Sequence, residues 1–293
     1  MSRISASPLI TLTTSSSNLD RLREQAEAAQ TTAMTGLSVA RPSDAPGQWT
    51  LIHGLTSAVA DQERFGQTAG MAVPLLQTAE SALGEAFDIV SRAKELAVQA
   101  SSDTLPTDQR DALSAEVDAL LGQLINIANS DHAGRHIFAG SAYDELAFDE
   151  TGAYMGSEDI PSAQAGQNLW IETGFNGDTF FSNAIAELSG LSAAVMDPTD
   201  PSAATAAYLD TLDDALHDIT SARTTVGLTM QRAEDALSAS ESLQLSLAQQ
   251  LDQTVGADPV DAYTRLAETQ AAYEAALQVT SSTMGMNLFS FMR

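Results

Sequence analysis

Across most of the chain, apolar residues recur at alternating steps of three and four. From Gln48 to about Ser102, one register runs through Ile52, Leu55 and Val59, then Gln62, Gly66 and Ala69. It resumes at Val73, Leu76, Glu80, Leu83, Phe87, Val90, Lys94 and Ala97. Only an α-helix brings this spacing onto one face, and a repeat held this long predicts coiled-coil packing rather than a globular core. The register returns near Ala206 and continues through Leu209, Leu212, Leu216, Ile219, Arg223, Val226, Met230, Ala233, Leu237, Ser240, Gln244, Leu247 and Leu251. A shorter stripe of Leu113, Val117, Leu120, Leu124 and Ile127 follows Thr107, which is placed to cap a helix. Pro74 falls inside the first long register and removes a backbone donor, so a kink or local break is expected there.

Both extremities carry stripes as well. Leu19, Leu22, Ala26, Ala29, Ala33 and Leu37 line one. The other holds Tyr263, Leu266, Gln270, Tyr273, Leu277, Thr280, Met284, Asn287 and Phe291, with Asp258 as N-cap and Pro259 in the first turn. Chain ends fray unless something holds them, so apolar stripes there predict pairing with each other, with other subunits, or both. Frequent Ala, Gly and Ser on the stripes allow close approach of helices. Gln62, Glu80 and Gln244, polar residues at core-register positions, suit the selection of one register.

Two stretches break the helical pattern. In "TGLSVARPSDAPGQW", residues 35–49, Gly36 is expected to end a helix, Pro42 to fix extended chain, and Ser43 or Asp44 to cap the next helix. From about Arg135 to Thr205, glycine, proline and aromatics rise, and short apolar runs bounded by Gly, Asn and Asp predict strands and hairpins. Asn176-Gly177 in "FNGDTF" carries a hairpin-turn signal, and "MDPTDP" at 196–201 closes the segment with a turn. The expected fold is mainly α: a long antiparallel helical coiled-coil rod formed by both chain ends, residues 1–140 and 205–293, with a small β-rich insert at 141–204.

Composition narrows the function. With 13 Lys and Arg against 39 Asp and Glu, the formal charge is −26, and a surface this acidic repels phosphate backbones and anionic bilayers alike. Neither nucleic acid nor membrane is an expected partner. There is no cysteine, which removes disulfides, thiol catalysis and thiolate metal sites. No apolar run approaches the roughly 20 residues of a membrane span. The first residues, "MSRISASPLITLTTSSSN", lack the charged and apolar regions of a cleavable signal peptide, which leaves a cytoplasmic protein or export without cleavage. His132 and His136 are four apart, but Gly134 lies between them and nothing completes a zinc spacing, so hydrogen-bonding roles are expected. The acidic run at 144–160 fails the spacing of a calcium loop and reads as a solvated face. No nucleophile elbow, phosphate loop or dinucleotide fingerprint is present, and no cofactor or catalytic residue is expected.

Four segments carry a resemblance that periodicity does not supply. "MTGLSVARPSDAPGQW" resembles the N-terminal conserved stretch of the bacterial flagellin family at Thr35, Gly36, Leu37, Pro42, Ser43, Asp44 and Pro46. "RAKELAVQASSDTLPTDQRDALSAEVDALLGQLINIAN" from Arg92 is similar to a later segment of the same region. "GRHIFAGSAYDELAF" resembles the lead into the family's variable domain, and "RTTVGLTMQRAE" at 223–234 its return helix. The prolines and the ending "ALQVTSSTMGMNLFSFMR" favour the family's hook–filament junction branch over its filament subunits. Ala45 and Trp49 depart from the pattern, so local turn contacts are expected to differ.

The resemblance implies a structural subunit, exported through the flagellar channel without a cleaved signal and assembled outside the cell as a ring. Its partners would be other copies of itself, another hook-associated junction protein, flagellin and an export chaperone, with the insert facing outward. The residues expected at the assembly interface are Leu19, Leu22, Leu37, Pro42, Asp44, Pro46, Tyr263, Leu266, Tyr273, Leu277, Met284 and Phe291. A filament subunit and an intracellular coiled-coil scaffold are the alternative readings.

Overall fold

The computed structural model describes residues 8–291, with side chains from 14 to 282. Among the described residues are seven helices and two small antiparallel sheets: α1 (Pro8–Thr35), α2 (Trp49–Ala100), α3 (Thr107–Ala128), β1 (Asp131–His132), β2 (Arg135–His136), β3 (Ser162–Gly166), β4 (Leu169–Glu172), α4 (Gly177–Val195), α5 (Pro201–Ala206), α6 (Tyr208–Val255) and α7 (Pro259–Phe291). The mainly helical fold with small sheets agrees with the periodicity. The chain divides into two compact units, residues 60–244 and residues 1–59 with 245–293.

In the 60–244 unit, α2 and α6 run antiparallel. The order of their contacts fixes the direction: Ser240 donates to the Gln62 carbonyl, Arg223 pairs with Glu80, and Lys94 pairs with Asp213. Two heptad columns of α2 are buried, Ala72, Ala79, Ala86, Ala93 and Ala100 in one and Ala69, Leu76, Leu83, Val90 and Ala97 in the other. The buried columns of α6 are Leu212, Ile219, Val226, Ala233 and Ser240, and Ala215, Ala222, Thr229 and Ala236. Half of the sequence register is therefore shifted by one residue: Val73, Glu80, Phe87 and Lys94 flank the seam, and the alanines beside them fill it. The buried faces therefore mix leucine-sized side chains with methyl groups, and Val73, Glu80, Phe87 and Lys94 are only part-buried.

Glu80 and Arg223 are thus a rim pair at 2.6 Å, each about 40% exposed, rather than an interruption of the core. An ion pair this exposed contributes about 0.2–1 kcal/mol. A double-mutant cycle of Glu80→Gln and Arg223→Gln, read by thermal unfolding, is expected to return a coupling within that range. A coupling above about 2 kcal/mol would put the pair back in the core.

The other helices close this unit. Arg92 of α2 reaches Glu116 of α3, the Ser192 hydroxyl of α4 donates to Asp118 of α3, and Asn183 and Glu187 of α4 bond Asp218 and Thr211 of α6. Buried Arg110 donates to the carbonyls of Ala100 and Ser102, which satisfies the C-terminus of α2 from the first turn of α3. Arg110→Ala is expected to cost about 2–3 kcal/mol, because both carbonyls lose a charged donor and that of Ala100 is buried. Urea unfolding of the two proteins checks this, and an unchanged midpoint would contradict it.

Several local expectations are corrected. α2 is continuous through Pro74, so no break occurs, and the packing of the long helix on either side outweighs the one lost hydrogen bond. α3 has Pro106 at its cap with no side-chain bond, and Thr107 is its first residue. "FNGDTF" is a helix start, not a hairpin turn: Asn176 caps α4, its side chain accepting from the Asp178 amide. The strong turn signal masked a helical pattern in the buried residues that follow, Phe181, Ala184, Ile185, Leu188, Leu191 and Val195. His132 and His136 lie on a two-residue hairpin rather than a helix, with Ala133 and Gly134 both at positive φ as a type I′ turn requires. Their imidazoles hydrogen-bond Thr78 and the Asn129 carbonyl. The 196–201 turn is present, and the Asp200 carboxyl is held below its usual range by the Ala203 amide and then the Ser202 hydroxyl.

Where the sheets join the helices, Phe138, Phe148 and Phe181 pack edge to face, with Phe175 also buried. Gly140 sits at φ +62, its amide bonded to the Phe175 carbonyl, and Gly177 opens α4 under the Phe138 carbonyl.

Candidate assembly surface

The unit made of residues 1–59 and 245–293 is a different kind of structure. α1 and α7 pair antiparallel: Leu19 lies beside Ala276 and Thr280, and Ala29 beside Ala262 and Thr269. The face of α1 turned inward is Leu19, Leu22, Ala26 and Ala29, as the stripe predicts. On α7 it is Ala262, Leu266, Thr269, Tyr273, Ala276 and Thr280. Among the described side chains of these two long helices, only Ala262 is fully buried. Two helices alone can cover little more than one stripe of each other. The apolar remainder, including Met34, Val260, Tyr263, Leu277 and Val279, lies open.

Both chain runs break helix at one place, and there the backbone stitches them together. Gly36, at φ +70, ends α1, its amide returning to the Thr32 carbonyl. Leu37 then bridges to Gly256, with the Ser38 amide donating to the Val255 carbonyl and the Ala257 amide to the Gly36 carbonyl. Asp258 caps α7 by accepting from the Val260 amide, as expected.

The turn after the bridge differs from the sequence reading. Pro42 occupies the second position of a β-turn closed by the Asp44 amide on the Arg41 carbonyl, not an extended stretch. The Asp44 carboxylate accepts from the amides of Ala40 and Arg41, so it fastens its own turn and does not cap α2. The start of α2 is instead closed by the Gln48 and Trp49 amides on the Ala45 carbonyl. A short side chain at Ala45 leaves that carbonyl as the only cap available.

Of the expected interface residues, Leu19, Leu22, Leu266 and Tyr273 are brought together, half-buried, in the α1–α7 seam. Leu37 sits at the bridge, and Pro42, Asp44 and Pro46 are exposed in the turn. Tyr263 and Leu277 point out of the seam, Leu277 with 43% of its surface open, so neither belongs to the contact between these two helices. The side chains of Met284 and Phe291 lie outside the described residues. Leu266, Tyr273 and Thr280 of the sequence stripe lie in the seam, but Ala262, Thr269 and Ala276 take the places expected for Tyr263, Gln270 and Leu277, one residue on.

Among the described residues, no group of three or more His, Asp or Glu could hold a metal ion. No helix of the described residues is long and apolar enough to cross a membrane.

Known proteins match both ends of the chain. Residues 7–143 fit the bacterial flagellin N-terminal helical region and residues 209–292 the C-terminal helical region. Flagellar hook-associated protein 3 of Escherichia coli (strain K12) is 28% identical over 282 residues, covering 87% of this chain and 89% of that protein. Its namesake in Salmonella typhimurium is 27% identical over 286 residues, covering 88% and 90%. The crystal structure of Bacillus cereus FlgL shares the fold with a TM-score of 0.59 at 24% identity, over 67% of this chain and 97% of that one.

Proposed function

The chain belongs to the bacterial flagellin family, and on that premise we propose that it is the structural subunit of the ring joining hook to filament. The observation that carries this reading is the unfinished α1–α7 pair. Its seam is half-open, and Met34 on α1, with 78% of its surface exposed, and Tyr263 and Leu277 on α7 are left uncovered. Neighbouring subunits supply the missing cover, in the way coiled-coil partners complete each other's stripes. Leu37, Pro42, Asp44 and Pro46 present the turn to the same neighbours.

End-to-end similarity to two hook-associated proteins supports the junction over the filament. The partners are further copies of this chain, a second hook-associated protein on the hook side, flagellin on the filament side, and a chaperone before export. The protein acts outside the cell, reached without cleavage of a leader, and residues 141–204 face outward. Its part is structural and includes no catalytic step.

Antibody labelling of isolated flagella tests the reading. Label confined to the boundary of hook and filament is the expected result. Label along the whole filament would make the chain a filament subunit. Its absence from sheared flagella, with all of it in the cytoplasm, would overturn both in favour of an intracellular scaffold.

A further inference from the structure

The hairpin β3–β4 has one face in the core and one in solvent. Ala165 and Ile171 point inward and are almost wholly buried. Gln164 pairs with Trp170 and Ser162 with Glu172, which puts these four on the outer face. Trp170 keeps 61% of its surface exposed, and Ile160, just before β3, keeps 45%. A large aromatic held open on a rigid strand is the usual core of a binding patch.

The charge around it is one-sided. Between His136 and Ala222 the sequence has 15 Asp and Glu and no Lys or Arg, while all 13 basic residues lie elsewhere. Glu172 shares the outer face with Trp170, and exposed Glu158 and Asp159 immediately precede Ile160. Such a field attracts a cationic partner and speeds its approach. It also disfavours a second copy of this chain, which would bring the same sign of charge to the same face.

We propose that the outer face of the β3–β4 hairpin docks a basic, amphipathic segment of another protein. The apolar side of that segment covers Trp170 and Ile160, and its Lys or Arg side chains meet Glu172, Glu158 and Asp159. This surface is separate from the α1–α7 face and does not depend on the flagellar assignment.

The full chain with Trp49→Phe leaves Trp170 as its sole tryptophan, so its emission reports the patch directly. The probe is a short synthetic Lys/Leu peptide with an amphipathic helical pattern, beside a sequence-scrambled peptide and oligolysine. A saturable blue shift with the amphipathic peptide alone is expected. Trp170→Ser with Ile160→Ser should weaken binding at least about tenfold, read by anisotropy of dye-labelled peptide. Added salt should weaken it further. An unchanged melting curve of the doubly substituted protein shows that the fold survives. No shift, equal binding of oligolysine, or undiminished binding to the substituted protein would each overturn the proposal.

Discussion

Leu22→Asp yields a subunit that is made and exported but absent from isolated flagella. Leu22 is half-buried on the face of α1 that meets α7, where the seam has no deep core to absorb a defect. Losing the leucine removes about 1–2 kcal/mol of apolar burial, and the carboxylate adds a desolvation cost of similar or greater size wherever neighbours close the seam. Because each subunit of a polymer repeats the defect, incorporation measured by immunoblot of sheared flagella is expected to fall at least about tenfold.

Leu277→Asp separates the two levels of the effect. Leu277 lies outside the α1–α7 contact, so its replacement should leave the helix content of the free subunit unchanged and still block incorporation. Leu22→Asp should lower both. Normal incorporation of both variants would remove the helix pair from the assembly surface.

Gly140→Ala is expected to cost the 60–244 unit about 4 kcal/mol or more. A Cβ at this position would stand 2.1 Å from the Ser157 carbonyl oxygen and 2.9 Å from that of Asp159, both backbone atoms that cannot turn aside. The backbone also sits at φ +62, where an L-residue is strained. Relief requires moving the segment that carries the Gly140–Phe175 hydrogen bond and, beneath it, the phenylalanine cluster. At about 2–4 °C per kcal/mol for a unit of this size, the calorimetric melting point should drop by about 10 °C. Gly122→Ala is the control: it lies in α3 with open space around its Cβ and should stabilise by about 0.5–1 kcal/mol. A Gly140→Ala protein that melts with the parent would mean that the 139–157 contact yields easily.

Helices were legible in the sequence because the heptad columns are long; which residues fill the seams was only half legible. Leu76, Leu83 and Val90 announce themselves, while Ala72, Ala79 and Ala86 carry the other half of the contact with one methyl group each. Read by size, an alanine beside Phe87 or Val73 loses; read by burial, it wins, because Ala86 and Ala72 are enclosed while their larger neighbours are only part-buried. α4 was missed for a related reason. Asn176-Gly177 is a strong local turn signal, but Asn serves equally well as a helix cap, and the alternating four- and three-residue spacing of Phe181, Ile185 and Leu188 with their neighbours decides between them.

The candidate surface was legible in outline. The α1 stripe is as read, whereas α7 is rotated so that Tyr263 and Leu277 leave the seam, a choice set by which face of α1 the alanines of α7 can approach. The role of Asp44 could not be read from spacing, since a carboxylate between two prolines can reach back or forward. Only the positions of the Ala40 and Arg41 amides settle that it reaches back.

The alanine columns of α2 and α6 also limit how the 60–244 unit can be altered. Leu76 and Leu83, or Leu212 and Ile219, can take another rotamer when a neighbour changes, but the methyl group of a buried alanine has no rotamer to take. A larger residue at Ala79, Ala86, Ala215 or Ala222 must therefore be met by movement of the backbone, so these columns tolerate substitution least although they carry the smallest side chains.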